Sequence, residues 1–171
     1  MAQSQPQPRS KFGWFLFLPL ILFLALGIGV SGIFSGGVSI LAGQRPANLG
    51  IEVGKFAPCP ATPNCVSSQS QDSAHAIAPL PRVDEPIVAL KEIVESFPKA
   101  KVIAATDTYL YAEFASALMG FVDDVEFAVE PSAIQVRSAS RLGESDLGVN
   151  QNRIEKIRSL LQERMGGFEK G

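Results

Sequence analysis

The chain has 171 residues, 46% of them hydrophobic, which is room for one domain and a short extra segment. Fifteen Lys and Arg face 17 Asp and Glu, a formal net charge of −2. No basic cluster exists outside the N-terminus, which argues against a nucleic-acid partner. The mean hydropathy of +0.18 is raised by one local run, because no charged residue occurs from Phe12 to Gln44.

Residues 1–11 are polar, carry Arg9 and Lys11, and read as a cytoplasmic tail. Residues 12–42 read as one transmembrane anchor. Within them Phe12 to Phe34 is 23 residues without a charge, enough to cross a hydrocarbon layer. Phe12, Trp14 and Phe15 suit the interface at its start, and the positive-inside rule puts the N-terminus in the cytoplasm. The domain is then expected in the periplasm or thylakoid lumen. A signal peptide cut near Ser39–Ala42 is the alternative, although such peptides have apolar regions of only about 7–15 residues. Either way the domain is exported. Residues 43–58 read as a linker and 59–171 as the domain.

Cys59 and Cys65 bracket Pro-Ala-Thr-Pro-Asn. In an exported domain they suggest a disulfide closing a short loop. Free thiols are the second reading. A metal site with His75 is the third, since Cys-x5-Cys-x9-His matches no common zinc spacing. No metal and no cofactor is expected.

Ser67–Ser73 reads as a polar loop and His75–Leu80 as a short strand. Asp84-Glu85-Pro86 starts a helix with a capping acid and Pro in the first turn. Its apolar face is Ile87, Leu90, Ile93, Val94 and Phe97, and Pro98 ends it. Four strands follow: Val102–Thr106, Tyr109–Ser116, Val122–Val129 and Ala133–Ser140. Their alternation predicts an antiparallel sheet with one buried face. A turn at Pro131-Ser132 sets Glu126 opposite Arg137 and Val122 opposite Arg141. The last helix is expected to be capped by Asn150, to bury Ile154, Ile157, Leu161 and Met165, and to stop at Gly166-Gly167. The predicted fold is α+β: an antiparallel sheet of about five strands covered on one face by two helices. The order strand, helix, four strands, helix resembles the TATA-binding-protein-like fold, an analogy that implies nothing about DNA.

The segments APCPATPNCVSSQ at 57–69, YLYAEF, GFVDDVEF, and RSASRLGESDLGVNQNRIEKIR at 137–158 carry a family likeness. They resemble the bacterial and plastid family called domain of unknown function 1499, over nearly everything from about Gly50 onward. The resemblance implies a membrane segment or export signal and an occurrence in cyanobacteria and chloroplasts. It carries no catalytic residues over. Gln151 stands where the family is expected to carry Arg, which would weaken anion binding there.

Four surfaces are candidates. The outer sheet face presents Tyr109, Tyr111, Glu113, Asp124, Glu126, Arg137 and Arg141, either as a solvated face with ion pairs or as a recognition surface. The segment Arg137–Arg153 offers Arg137, Arg141 and Arg153 around a helix N-terminus at Asn150. It reads as an anion site or as a capped helix whose arginines are satisfied by Glu144 and Asp146. His75 could act with Asp72 and a nearby Ser or Cys, although triads are usually assembled from distant segments. The apolar connection Ala117–Phe121 either folds onto the core or touches a bilayer. These signals together predict a membrane-anchored, extracytoplasmic binding or assembly module whose partner is a membrane protein or lipid. The alternative is a small hydrolase or anion-binding enzyme using the His75 and Arg137/Arg141 loops.

Overall fold

In the computed structural model, residues 40–167 are described. The expected span at Phe12–Phe34 lies outside them. Among the described residues no helix is long and apolar enough to cross a membrane. Ile40–Ala42 is a 3-10 turn.

The α+β class holds. Strands β1 (Cys65–Ser67) and β2 (Leu80–Pro81) precede helix α1 (Pro86–Glu95). Strands β3 (Ala100–Ala105), β4 (Tyr109–Ala115), β5 (Val122–Val129) and β6 (Ala133–Ser140) follow, and helix α2 (Val149–Gly167) closes the order. The six strands form one antiparallel sheet in the order β1-β6-β5-β4-β3, with β2 also pairing to β6. The two extra short strands replace the single strand expected at His75–Leu80. Only Leu80 of that stretch joins the sheet as a strand, opposite Ile134. Pro79 and Pro81 have no N–H to give a ladder. The Cys65–Ser67 stretch, expected as loop, instead pairs with Arg137–Ala139.

One sheet face packs under the helices. Leu110, Ala112 and Phe114 of β4, Val125 and Phe127 of β5, and Ile134 and Val136 of β6 meet Leu90, Ile93 and Val94 of α1. Ile154, Ile157 and Leu161 of α2 complete this core. The alternation in the strands dictates this division, since successive side chains point to opposite faces. Two details differ from the sequence expectation. Met165 is 47% exposed rather than buried: it lies one turn beyond Leu161, the last residue of the helix in the core. Glu85 occupies the N-cap position of α1 with left-handed backbone and no side-chain cap bond, so neither expected acid caps by its side chain. Pro86 follows it at N1, where its fixed φ suits the first turn and its missing N–H leaves one donor fewer to satisfy.

The other sheet face is covered by chain. Residues 43–58, expected as a linker, cross it as a strap. Gly43 begins the strap so close to β6 that an added Cβ would lie 2.8 Å from the Arg141 Cβ, and its φ is +67°; both facts require glycine. Arg45 Nε donates to Glu113 Oε1 (2.8 Å) and the Gly50 N–H to Glu126 Oε1 (2.6 Å). The strap turns at Glu52–Lys55, which exchange two backbone hydrogen bonds. It returns through the buried Phe56, whose N–H donates to Gln69 Oε1 (2.9 Å).

Candidate functional site

The strap explains a feature that alternation alone misreads. Asp124, Glu126, Arg137 and Tyr111 point away from the helices as expected, and Glu126 does sit opposite Arg137. Yet Asp124 is 1% exposed and Glu126 0%, so this is not a solvated face.

β4, β5 and β6 set these side chains side by side. Tyr109 Oη donates to Glu126 Oε1 (2.8 Å), and Tyr111 Oη to Asp124 Oδ1 (2.6 Å). Arg141, just past β6, folds back so that Nε reaches Asp124 Oδ2 (2.9 Å) while Nη2 donates to Glu113 and Tyr111. Arg45 lies 5.6 Å over the Tyr111 ring. Three carboxylates, Glu113, Asp124 and Glu126, thus face three guanidiniums, Arg45, Arg137 and Arg141. Burial first, and then the neighbouring carboxylates, push both tyrosine hydroxyls well above their usual range, so they remain donors. Hydrogen bonds to Asp124 hold Arg141 above its usual range against the cost of burial. Burial pushes Glu113 up, but hydrogen bonds from Arg45, Arg141 and Tyr111 outweigh it and leave it lowered. Arg137 is the loosest member. Its Nη1 is 3.4 Å from Glu126 Oε2, and its buried Nε has no hydrogen-bond partner.

A second polar cluster lies on the helix side. Arg153 pairs with Asp123 and lies 4.7 Å over the Phe114 ring. Asn150 is fully buried. Its Oδ1 accepts from Ser138 Oγ (2.5 Å) and Arg153 Nη1 (2.6 Å). Its Nδ2 donates to the Asn64 carbonyl (3.1 Å), Ser140 Oγ (3.0 Å) and Asp146 Oδ2 (2.7 Å). Asn150 is therefore an internal joint and not the cap of α2. The cap is Asp146, whose carboxylate accepts from the N–H groups of Gly148 (3.0 Å) and Asn150 (2.8 Å). Burial raises the Asp146 carboxyl, and those two N–H groups reverse the shift and leave it lowered. The free N–H groups that an anion would need are thus engaged.

The three arginines of the anion reading do not converge. Arg137 and Arg141 pair with Glu126 and Asp124 on the strap side, and Arg153 with Asp123 on the helix side. Asp123 and Asp124, adjacent on β5, therefore point to opposite faces. Nor does Asp146 serve the arginines.

Cys59 and Cys65 form a disulfide, which removes the free-thiol and metal readings. Among the described residues no group of three or more His, Cys, Asp or Glu could hold a metal ion. His75 is buried beside that loop, with Nδ1 2.8 Å from Asp72 Oδ2 and Nε2 3.2 Å from the Thr62 carbonyl. Both partners accept, so both ring nitrogens are used as donors in the imidazolium form. The Asp72 bond, followed by Thr62, raises the His75 pKa. The N–H of Ala74, followed by His75, lowers that of Asp72. A groove of about 540 Å³ lies alongside, with Phe56, Cys59, Ser67, Gln69, Asp72 and His75 in its wall. In this arrangement His75 ties the Cys-Pro loop to the Asp72 turn and presents no free lone pair to a substrate. No hydrogen bond or ion pair among the described residues joins it to Asp124 or Arg141.

The family model described as "Protein of unknown function (DUF1499)" matches residues 55–161, more than half of the chain. The chain belongs to this family. No curated protein and no solved structure matches it. The match spans all six strands, α1, the disulfide's Cys59 and Cys65, and both polar clusters apart from Arg45 and Gly50. Sequence reasoning missed the Asn64–Ser138–Ser140–Asp146–Asn150 joint. The signal was present in the polar residues recurring within RSASRLGESDLGVNQNR, which alternate onto the helix side at Ser138 and Ser140.

Proposed function

We propose that the protein is a membrane-anchored, extracytoplasmic binding or assembly module. The observation that carries this reading is the strap. The 23-residue stretch expected to cross the membrane ends at Phe34, and Gly43 is already fastened against Arg141. The eight residues between, 35–42, can reach no more than about 30 Å when fully extended. A domain on so short a lead works next to the bilayer. The Cys59–Cys65 disulfide suits an oxidising compartment, as found outside the cytoplasm. The basic Arg9 and Lys11 before the run suit a cytoplasmic N-terminus.

The conspicuous charged side chains hold one another and the strap, so their role in this reading is to lock the strap onto the domain. Binding then falls to surfaces that remain exposed. The hydrolase or anion-binding alternative lacks a comparable observation. His75 has both ring nitrogens engaged, and the arginines lie on two faces.

The test uses membranes of a producing cell. We expect the full chain to resist an alkaline wash and its domain to be digested by protease only from the outer side. Release by the wash, or digestion from the cytoplasmic side alone, would contradict the reading.

A further inference from the structure

Ten large hydrophobic side chains are exposed among the described residues, and six of them gather at one end of the sheet: Leu41, Leu118, Met119, Leu142, Leu147 and Val149. The β4–β5 connection belongs to this end because Ala115 pairs with Val122 at the last rung of that hairpin. Arg141 N–H donates to the Val122 carbonyl (3.1 Å), which brings Leu142 alongside. The Asn64 amide donates to the Gly143 carbonyl (2.5 Å) and Asn150 to Ser140, which bring in the 142–149 loop. Gly43 lies against Arg141 and Leu142, so this is also where the chain enters the domain. The opposite end carries the polar turns around Asp107 and Ser132, with Ile51 and Val53 as a separate pair.

Two of the six stand out. Leu118 is 94% exposed and Leu147 91%, so neither is part of the core. Leu147 holds this position with a φ of +54°, a left-handed backbone that non-glycine residues rarely adopt and that costs free energy. Monomeric soluble domains seldom gather exposed apolar side chains in this way unless something covers them. Lys99 Nζ donates to the Ala117 carbonyl (2.7 Å) and fixes a cation at the base of the hairpin, a position suited to lipid phosphates.

We infer that this end of the domain seats in the interface of a lipid bilayer, with Leu118 and Leu147 inserted among the acyl chains. The inference rests on the anchoring reading above and deepens it. The occupant is lipid because the end that bears the leucines is the end from which the eight-residue lead departs toward the uncharged run, so that run's own membrane is the apolar phase within reach.

The experiment uses the full chain reconstituted in phosphatidylcholine/phosphatidylglycerol vesicles. An environment-sensitive fluorophore is attached at Leu118→Cys, at Leu147→Cys, or at Asp107→Cys as the control on the opposite end. Vesicle flotation is measured on the same samples. We expect all three proteins to float. Labels at 118 and 147 should shift to the blue and be quenched by acyl-chain nitroxides but not by iodide, and the label at 107 should show the reverse. Floating protein with labels at 118 and 147 open to iodide would overturn the inference and leave the anchor standing. A blue shift without nitroxide quenching, lost when the protein is diluted in lipid, would mean that a second copy covers the patch, and would also overturn it. Protein that fails to float would overturn both readings. Because both leucines are almost fully exposed, Leu118→Ser with Leu147→Ser should unfold at the wild-type midpoint. In that variant a label at Met119→Cys should lose its nitroxide quenching relative to the same label on wild-type leucines. A midpoint well below wild type would show that the leucines are core after all.

Discussion

Arg141 touches Asp124, Glu113 and Tyr111 and is held by all of them at 7% side-chain exposure. Arg141→Met keeps an unbranched apolar stem and leaves Asp124 buried without its cation. Breaking a buried pair from one side costs about 3–5 kcal/mol, so chemical denaturation should show a loss of that order. A loss below about 1 kcal/mol would class the pair with surface ion pairs. His75 makes the opposite kind of prediction, one of pH. Its folded-state pKa is raised, chiefly by Asp72, above the roughly 6.5 of an unfolded chain. Its stabilisation is therefore complete below about pH 6.5 and is lost as pH rises through the raised value. The midpoint difference between wild type and His75→Gln should narrow between about pH 6 and about pH 9; a difference that widens would mean that His75 is held neutral. At these positions the sequence told which way each side chain points but not what lies against it. Asp124 and Glu126 alternate with valine and phenylalanine whether water or chain covers them, since the strand period of two is the same in either case.

The helix α2 start separates two roles that sequence reasoning assigned to one residue. Asp146 and Asn150 are both capping types, and which of them caps depends on the turn through Leu147 and Gly148, both at positive φ. Asp146→Ala removes the cap and should cost about 1 kcal/mol. Asn150→Ala removes five side-chain hydrogen bonds at once, to Ser138, Arg153, the Asn64 carbonyl, Ser140 and Asp146, each worth about 0.5–1.5 kcal/mol net, and should cost clearly more. Equal losses would contradict the division of roles. The strap is the element that the sequence concealed most fully. Residues 43–58 show neither a 3.6 nor a 2.0 period, because they are held by single contacts at Gly43, Arg45, Gly50 and Phe56. The strands β3 to β6 and the helix α1 were legible because each turns a repeating apolar face toward the core. A chain beginning at Lys55 keeps the residues matched to the family but loses Arg45 and the Gly50 bond to Glu126. Relative to a chain beginning at Ile40 it should lose at least about 2 kcal/mol, the worth of one hydrogen bond to a buried charge. No loss would mean that the strap only rests on the sheet.

The molecule as a whole joins an apolar N-terminal run to a disulfide-bearing domain through residues 43–58, a strap that the domain itself clamps. The disulfide was readable from the pair of cysteines. The clamp was not, and in the anchoring reading proposed above it is what would keep the domain close to its membrane. The exposed leucines at the clamped end were foreshadowed only at the β4–β5 connection. Leu142, Leu147 and Leu41 join Leu118 through tertiary folding of separate segments. Anchoring requires that the leader stay attached. The intact mass of the protein extracted from its own membrane decides this. The expected value is that of the chain retaining residues 1–42, within its 18.3 kDa, less two protons for the Cys59–Cys65 bond. A mass corresponding to a chain that begins near Gly43 would contradict the anchor and leave a released domain.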